Sequence, residues 1–330
     1  MPLIDVNGLN IYFDGKTPVQ VVKDVSFQIE KGEVFGLAGE SGSGKSMTAL
    51  SILGLLPGGA KARGSINFNG TELTGLSPER MRSIRGKEIS MVFQEPMTSL
   101  NPVLRVGYQI REALQAHMNI SKKEADERAV SLLRDVRIPA PEDRARDYPH
   151  QLSGGMRQRV MIAMAIACGP SLLIADEPTT ALDVTVEAQI LDLIDGLVKD
   201  SGKNMSVLLV THDLGILAEH ATNVAVMYAG RIVEMAPVRA IFETPGHPYT
   251  IGLLESIPQK GKRGRPLKPI PGAVPPPYAL PPGCKFSDRC FFKIPRCTEA
   301  EPELRPAGDR GTGPRLARCI RTEELQWRPS

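Results

Sequence analysis

An eight-residue segment near the N-terminus has the composition of a phosphate-binding loop. It lies between an apolar stretch, residues 33–38, and a helical pattern that begins at Met47. Glycines allow successive backbone N–H groups to surround a phosphate, and the start of a helix adds partial positive charge. The spacing matches G-x-x-x-x-G-K-[ST] in a strand–loop–helix context. The residues predicted to bind a nucleoside triphosphate are Gly39, Ser41, Gly42, Ser43, Gly44, Lys45 and Ser46.

Side chains suited to phosphate chemistry stand in this loop and at the ends of two further apolar runs. Lys45 would reach the β- and γ-phosphates of ATP, and Ser46 would bind Mg²⁺. After the run 172–175, Asp176 would hold Mg²⁺, and Glu177 would orient or deprotonate the attacking water. His212 follows the second of these runs, in "NMSVLLVTHD", and would touch the γ-phosphate. A solvated loop and an ordinary polar strand end are the alternatives, but positions at the ends of apolar strands favour catalysis.

The elements that must position these side chains are buried strands followed by helices. Short apolar runs bounded by loops are typical of buried parallel strands, so we predict an α/β fold with a P-loop NTPase core. The chain has 330 residues, of which 42% are hydrophobic and 23% charged, enough for a packed core. Its net charge of +3 gives no reason to expect nucleic acid as a partner.

The sequence predicts neither a membrane span nor a leader. The uncharged run 160–175 is interrupted by Gly169-Pro170 and is too short to cross a bilayer. The segment "MPLIDVNGLN" lacks the basic and apolar regions of a signal peptide, so we expect the chain to begin in the cytosol. Any role at a membrane would therefore depend on other subunits.

Composition changes near residue 255. The last 76 residues hold 14 of the 28 prolines and 15 basic against 8 acidic side chains, whereas the preceding residues carry 25 basic and 29 acidic ones. Proline removes a backbone donor and fixes φ, so such segments do not form helices or central strands. We predict a compact domain at residues 1–254 and a proline-rich, cysteine-containing extension at 255–330.

The segment "QLSGGMRQRVMIAMAIA", residues 151–167, identifies a family when it stands between the phosphate loop and "LLIADEP". With these motifs the chain resembles the nucleotide-binding subunits of ABC transporters. The resemblance implies a RecA-like core with a helical signature subdomain at about residues 95–165. It also implies a dimer in which each signature motif binds the ATP held by the partner. The signature residues are Ser153, Gly154, Gly155 and Met156, the last replacing the usual Gln.

The resemblance assigns roles to four further residues. Gln94 in "MVFQEP" resembles the glutamine that senses Mg²⁺ and water, and Asp183 in "TTALD" resembles the aspartate that links the two half-sites. His212 resembles the switch histidine. Phe13 is the predicted adenine-stacking aromatic, with Tyr12 as the alternative.

Several longer motifs, among them "FQEPMTSLNPVLRVGYQI" and "HPYT", are similar to those of the oligopeptide/dipeptide importer branch, and most of all to its D-type ATPase subunits. The resemblance implies a sister ATPase forming a heterodimer, two transmembrane permeases and an extracytoplasmic peptide-binding protein. It places the chain on the cytoplasmic face of the bacterial inner membrane. The implied activity is ATP hydrolysis coupled to import of dipeptides or oligopeptides, while nickel, glutathione and haem are the alternative substrates.

Four of the five cysteines lie in the last 47 residues, at Cys284, Cys290, Cys297 and Cys319. A reducing cytosol disfavours disulfides, and zinc ligands usually come as C-x2-4-C pairs, which are missing. The resemblance implies a [4Fe–4S] cluster, because some members of this branch bind one; Zn²⁺ or no metal are the alternatives. We expect nearby basic residues, such as Lys285 and Arg289, to favour deprotonated thiols. Cys168 is predicted to be a small core residue.

Two other function classes remain as alternatives. A non-transport ABC ATPase of DNA repair or translation would usually carry two cassettes or long coiled-coil insertions, and neither pattern is present. A redox iron–sulfur protein that uses nucleotide as a switch would carry a flavin or second-cluster motif, which is also missing. The sequence therefore favours the transport ATPase.

Overall fold

The structure is a computed structural model that describes residues 1–330 except 16, 95–98, 180–182, 201–204, 258–268, 309–310, 326 and 328–330. It divides the chain into two compact units. The first contains Met1–Ile29, Val34–Thr74 and Leu209–Ser330, and the second contains Glu30–Glu33 and Gly75–Leu208. The predicted start of the helical subdomain, at about residue 95, lies outside the described residues.

The first unit contains an antiparallel sheet. Its strands in the order β2-β1-β4-β5 are β1 (Ile4–Phe13), β2 (Val19–Ile29), β4 (Ala60–Phe68) and β5 (Thr71–Glu72). Apolar side chains recur along one face of β1 and β2, and Ile4, Val6 and Phe27 are buried. This alternation is what an antiparallel sheet with one packed face requires.

The first unit also contains a run of hydrogen-bonded strands in the order β11-β12-β10-β9-β3. They are β3 (Val34–Ala38), β9 (Asn223–Tyr228), β10 (Arg231–Pro237), β11 (Arg305–Pro306) and β12 (Leu316–Ala317). β3 and β9 are parallel, and β9 and β10 form an antiparallel hairpin. β11 and β12 come from the proline-rich extension, and they are short strands at the end of this run, where proline is tolerated.

In the part of the first unit that the structure describes, four α-helices follow the strands. They are α1 (Lys45–Ile52), α8 (Leu214–His220), α9 (Val238–Glu243) and α10 (Pro248–Glu255). The start of α10 is held by Glu234 of β10, whose carboxylate accepts hydrogen bonds from the backbone N–H groups of Gly246 and His247. Glu234 is fully buried, and this burial raises the pKa of its carboxyl to about 7.

The extension shares a core with the rest of the first unit. Phe286 is buried, and its ring centre lies 5.2 Å from that of Tyr228 and 5.3 Å from that of Tyr249. Glu301 forms ion pairs with Lys23, at 3.0 Å, and with Arg231. Aromatic packing and these ion pairs therefore fix the extension onto the strands β2, β9 and β10.

The second unit pairs two parallel strands, β6 (Ile89–Val92) and β7 (Leu172–Asp176), both fully buried. Its helices are α2 (Pro78–Ile84), α3 (Val106–Gln115), α4 (Lys122–Asp135), α5 (Pro141–Arg144), α6 (Gly154–Ile166) and α7 (Val184–Asp200). Strand β8 (Ser206–Thr211) begins in this unit and ends in the first. Among the residues that the structure describes, every helix is too short or too polar to span a bilayer.

Candidate functional site

The phosphate loop runs from the end of β3 to the start of α1, as the motif predicts. Gly39 has φ = 145°, and a Cβ atom there would lie 2.3 Å from the carbonyl oxygen of Met227. Only glycine fits so close to the backbone of β9. The loop is also bound to the turn after β9, because the N–H of Gly230 donates to the carbonyl of Ser43 at 2.9 Å.

Two polar side chains of the loop have the properties of phosphate ligands. Lys45 is 4% exposed, and its Nζ donates to the carbonyls of Gly39 at 2.6 Å and Glu40 at 3.1 Å. Ser43 is fully buried, and within the described residues its Oγ has no hydrogen-bond partner. A buried hydroxyl without a partner is unfavourable unless a ligand completes its hydrogen bonding. The loop therefore fits the triphosphate that the sequence predicts.

The structure brings two predicted catalytic residues together in the second unit. Nε2 of Gln94 donates to Oε2 of Glu177 at 3.0 Å, although the two residues lie 83 positions apart. Asp176 ends the buried strand β7 and is 5% exposed. Glu177 has φ = 46°, a left-handed conformation that residues other than glycine rarely adopt. Such strain persists where the surroundings enforce it, and it concentrates at functional sites.

The signature residues lie at the start of α6. Ser153 is the N-cap, and its Oγ accepts a hydrogen bond from the N–H of Met156 at 3.3 Å. Ser153 and Gly154 are exposed, whereas a Cβ at Gly155 would meet Val186 of α7 at 2.7 Å. An exposed helix N-terminus presents N–H groups that suit an anion, which is the chemistry predicted for this motif.

Asp183 and His212 lie where the motifs place them. Oδ1 of Asp183 accepts from the N–H of Val186 at 2.9 Å, so this carboxylate caps α7. His212 is exposed and follows directly after β8. Asp213 then starts α8 by accepting from the N–H of Gly215 at 2.6 Å.

The structure distinguishes the two candidate aromatics of β1. Arg63 lies over the Tyr12 ring, 5.7 Å from its centre, and Gln20 donates to the Tyr12 hydroxyl at 3.1 Å. Phe13 is partly exposed and has no comparable ring contact in the described part of the chain. Because Tyr12 already packs against Arg63, Phe13 is the better placed of the two to receive a base.

Three residues of the phosphate-loop surroundings were missed in the sequence. Arg289 of the extension forms an ion pair with Glu40 at 2.7 Å, and Glu40 donates its N–H to the Tyr249 hydroxyl at 2.8 Å. In the sequence, Arg289 stands out only by its position beside a cysteine, and Tyr249 only as part of "HPYT". The signal available in the sequence was the acidic residue inside an anion-binding loop, which calls for a cation nearby.

All four cysteines of the extension line one cavity, together with His247 and Phe286, and its volume is about 20 Å³. The Sγ atoms of three of them accept hydrogen bonds from the N–H two residues further on. These pairs are Cys284 with Phe286, Cys290 with Phe292, and Cys319 with Arg321. Backbone N–H groups directed at sulfur stabilise thiolates, so the donor chemistry suits a metal centre.

Two findings differ from what the sequence led us to expect of these cysteines. Burial raises the pKa of Cys290 to about 12 and that of Cys319 to about 11, and the neighbouring cysteines of the cavity raise both further. Furthermore, no three Cys, His, Asp or Glu side chains in the described residues could together hold one metal ion. In this arrangement the ligands of a tetrahedral zinc ion would not all reach one point, and no site for a cluster is formed in advance.

Cys168 lies outside this cavity, in the second unit. It follows α6 and is partly buried, and its Sγ lies 3.8 Å from the carbonyl oxygen of Ala113. Cys168 is therefore less enclosed than the core residue that the sequence predicts.

Comparison with known proteins assigns the family. The model of the ABC transporter family matches residues 22–180, and that of the oligopeptide/dipeptide transporter C-terminal region matches residues 233–297. The oligopeptide transport ATP-binding protein AppD of Bacillus subtilis is 52% identical over 92% of this chain and 92% of its own length. The dipeptide transport ATP-binding protein DppD of Haemophilus influenzae is 49% identical over 94% of both.

Solved structures agree with this assignment. The dimeric ATP-binding cassette MJ0796, in a post-hydrolysis state bound to ADP and phosphate, is 28% identical with a TM-score of 0.64. The similarity covers 72% of this chain and 99% of that one. The predicted α/β P-loop cassette fold is thereby confirmed. The chain belongs to the ABC transporter family, among the ATP-binding subunits of the oligopeptide and dipeptide transport branch.

Proposed function

We propose that this chain hydrolyses ATP to energise the import of peptides through separate permease subunits. The observation that carries the proposal is the phosphate loop, with its buried Lys45 and the unpartnered hydroxyl of Ser43, in a chain related over nearly its whole length to peptide-transport ATPases. Dipeptides and oligopeptides are the proposed cargo. Nickel, glutathione and haem remain the alternatives.

In the nucleotide site, each residue has one proposed role. Lys45 and the N–H groups of the loop bind the phosphates, and Phe13 stacks on the adenine. Ser46 and Asp176 would hold Mg²⁺, which would supply positive charge to offset the charge that develops on the phosphates. His212 contacts the γ-phosphate.

Glu177 is the proposed catalytic carboxylate. It polarises the attacking water, and its hydrogen bond from Gln94 orients the Oε2 atom. The left-handed backbone of Glu177 is a strained conformation, as expected for a group positioned for chemistry. Gln94 therefore links the Glu177 carboxylate to the proposed permease contact, which is described below.

The proposed partners follow from the incomplete sites on one chain. The exposed signature residues at the start of α6 bind ATP held by a sister ATPase, and Asp183 connects the two half-sites of this heterodimer. Two permeases carry the peptide, which an extracytoplasmic peptide-binding protein delivers. The chain acts on the cytoplasmic face of the bacterial inner membrane.

The proposed permease contact is a mostly apolar groove in the second unit. It has a volume of about 420 Å³ and lies beside Gln94, between β6 and α6. Phe93, which is 41% exposed, lines it together with Met91, Met161 and Met164. Methionines adapt to an inserted side chain, and an apolar groove of this kind receives one face of a helix. The proposed occupant is a cytoplasmic helix of the permease.

A metal centre held by Cys284, Cys290, Cys297 and Cys319 is a second proposal, with a [4Fe–4S] cluster as the occupant. Support comes from the shared cavity and from the three N–H groups directed at sulfur. The cavity holds about one water in volume, so binding of a cluster requires the cysteine loops to separate. A cluster would cross-link these loops and add stability to the extension.

The ATPase proposal is tested with the full chain in complex with its copurified partners. The Glu177→Gln variant should bind ATP normally but hydrolyse it at least about a hundredfold more slowly, because the group that polarises water is lost. The matched control is Glu88→Gln, which changes an exposed carboxylate at the start of β6. Near-normal hydrolysis by Glu177→Gln would contradict the assignment, and uptake of labelled peptides into vesicles tests the cargo.

The metal proposal is tested by anaerobic purification followed by assay of iron, acid-labile sulfide and zinc. About four irons and four sulfides per chain support the cluster. One zinc per chain, or no metal, would exclude it.

A further inference from the structure

One arginine of the extension is bound directly to the phosphate loop. Nη1 of Arg289 donates to Oε2 of Glu40 at 2.7 Å, and Nη2 donates to Oε1 at 2.9 Å. Glu40 is the second residue of the loop, between Gly39 and Ser41. Two parallel N–H···O bonds fix both the position and the orientation of a carboxylate. The side chain of Glu40 is therefore held by a residue 249 positions further along the chain.

Arg289 is oriented by the extension as well as by Glu40. Its side chain is 6% exposed, and its Nε donates to the carbonyl of Pro271 at 2.7 Å. Nη2 also donates to the carbonyl of Gly272 at 3.2 Å. The guanidinium carbon lies 5.7 Å from the centre of the Tyr228 ring. These contacts hold the guanidinium of Arg289 independently of Glu40. Arg289 therefore fixes the position of Glu40, and not the reverse.

The backbone of Glu40 is held as well. Its N–H donates to the hydroxyl of Tyr249, a fully buried side chain of α10. Its carbonyl accepts hydrogen bonds from the N–H of Ser43 at 3.2 Å and from Nζ of Lys45 at 3.1 Å. A displacement of Glu40 would therefore move the two residues of the loop that are best placed to bind phosphate.

The ion pair between Arg289 and Glu40 also reduces an electrostatic repulsion. A carboxylate inside a loop that binds a polyanion repels that anion, and a bound cation offsets the repulsion. Arginine suits this position better than lysine because it reaches both carboxylate oxygens and the two backbone carbonyls at once. We infer that Arg289 is a positioning residue for ATP: it holds Glu40 and neutralises its charge, so that the folded extension is required for tight nucleotide binding. The inference rests on the proposed ATPase function.

The test is calorimetric titration of the full-length chain with MgATP, followed by steady-state ATPase assays of the chain in complex with its copurified partners. Arg289→Gln should raise the Kd and KM for ATP about tenfold, while kcat at saturating ATP stays within about twofold of wild type. Arg289→Lys restores the charge without the paired hydrogen bonds, so its Kd should fall between these values. The matched control is Arg296→Gln. Arg296 also precedes a cysteine but is exposed, and this variant should bind ATP like wild type.

A double-mutant comparison separates positioning from a general structural effect. In a Glu40→Gln background, Arg289→Gln should change the Kd for ATP by less than about twofold, because the two residues act through one contact. A tenfold effect in both backgrounds, or a wild-type Kd for Arg289→Gln, would overturn the inference. If Arg289→Gln does not fold, as judged by its melting curve, Arg289→Lys in the two backgrounds supplies the same comparison.

The Lys45→Ala variant distinguishes this inference from the proposed function. If Lys45→Ala loses ATP binding while Arg289→Gln keeps a wild-type Kd, the ATPase function stands and only the positioning role fails. If Lys45→Ala and the wild-type chain bind ATP equally, the proposed nucleotide site itself is wrong.

Discussion

The phosphate loop and the cysteine loops of the extension share one feature of backbone geometry. Each turns at a glycine with positive φ that faces a backbone carbonyl. A Cβ at Gly39 would lie 2.3 Å from the carbonyl oxygen of Met227, and a Cβ at Gly283 would lie 2.4 Å from that of Cys297. In both regions two backbone segments approach more closely than any side chain permits.

The two regions differ in what holds their functional groups together. The phosphate loop is one continuous segment between a buried strand and a helix, and its neighbours in sequence fix its shape. The four cysteines come from separate turns joined by short 3₁₀ segments, and they meet only because the extension packs on the β9–β10 hairpin. Chemistry carried by a continuous loop can be recognised from sequence, whereas chemistry assembled from distant turns depends on tertiary packing.

Gly39→Ala should break the phosphate loop most severely. The new methyl group must displace the backbone of β9, so the Kd for ATP should rise about a hundredfold or more. Gly42→Ala is the matched control, because Gly42 also has positive φ but its Cβ would meet nothing within 4 Å. Calorimetric titration with MgATP measures both. Equal Kd values for the two variants would show that the close approach at Gly39 is unimportant.

Gly283→Ala makes the corresponding change in the cysteine loops. Its methyl group would meet the backbone of Cys297 and Thr298, and the melting temperature of the chain should fall by about 5 °C. The Kd for ATP should rise by no more than about tenfold, because the cysteine loops lie outside the phosphate loop and act on it through contacts such as that of Arg289 with Glu40. Gly308→Ala, with positive φ and open space, is the control. An ATP affinity as poor as that of Gly39→Ala would remove the distinction between the two regions.

Glu234→Gln tests the start of α10, the helix whose Tyr249 contacts both Glu40 of the phosphate loop and Phe286 of the extension. Its effect on the stability of the chain should be the smallest of the predicted effects. The pKa of Glu234 is raised to about 7 from an unfolded value of 4.5, so the stability it contributes is present below pH 4.5 and is lost as the pH rises through 7. Wild type should therefore lose stability relative to Glu234→Gln between pH 5 and pH 8. Urea unfolding at both pH values measures the difference.

Comparing wild type with Glu234→Gln also cancels the contribution of His247 to stability, which has the opposite pH dependence. Burial lowers the pKa of His247 to about 3, which gives stability that is lost as the pH falls below 6.5, and both variants share it. Glu243→Gln, which changes an exposed carboxylate of α9, is the control variant for this measurement. If the stability of wild type relative to Glu234→Gln instead grows with pH, Glu234 is charged in the folded chain.

The motifs identified candidate catalytic residues but not the contacts between them. The sequence placed Gln94 and Glu177 in separate motifs, and the hydrogen bond between them is a product of the parallel pairing of β6 and β7. The raised pKa values of the Cys290 and Cys319 thiols come from burial, which the basic residues beside them in sequence do not reveal. The boundary near residue 254 stays a prediction.

The sequence by itself determined the cassette fold, the phosphate loop and the carboxylates that follow the apolar strands. Those features depend on local spacing, which sets backbone conformation and burial directly. Only the tertiary structure decided that Glu40 meets Arg289, that Glu234 is buried at the start of α10, and that four cysteines line one cavity. Such contacts join residues far apart in the chain, and they form because packing of the core, not the local sequence, brings their segments together.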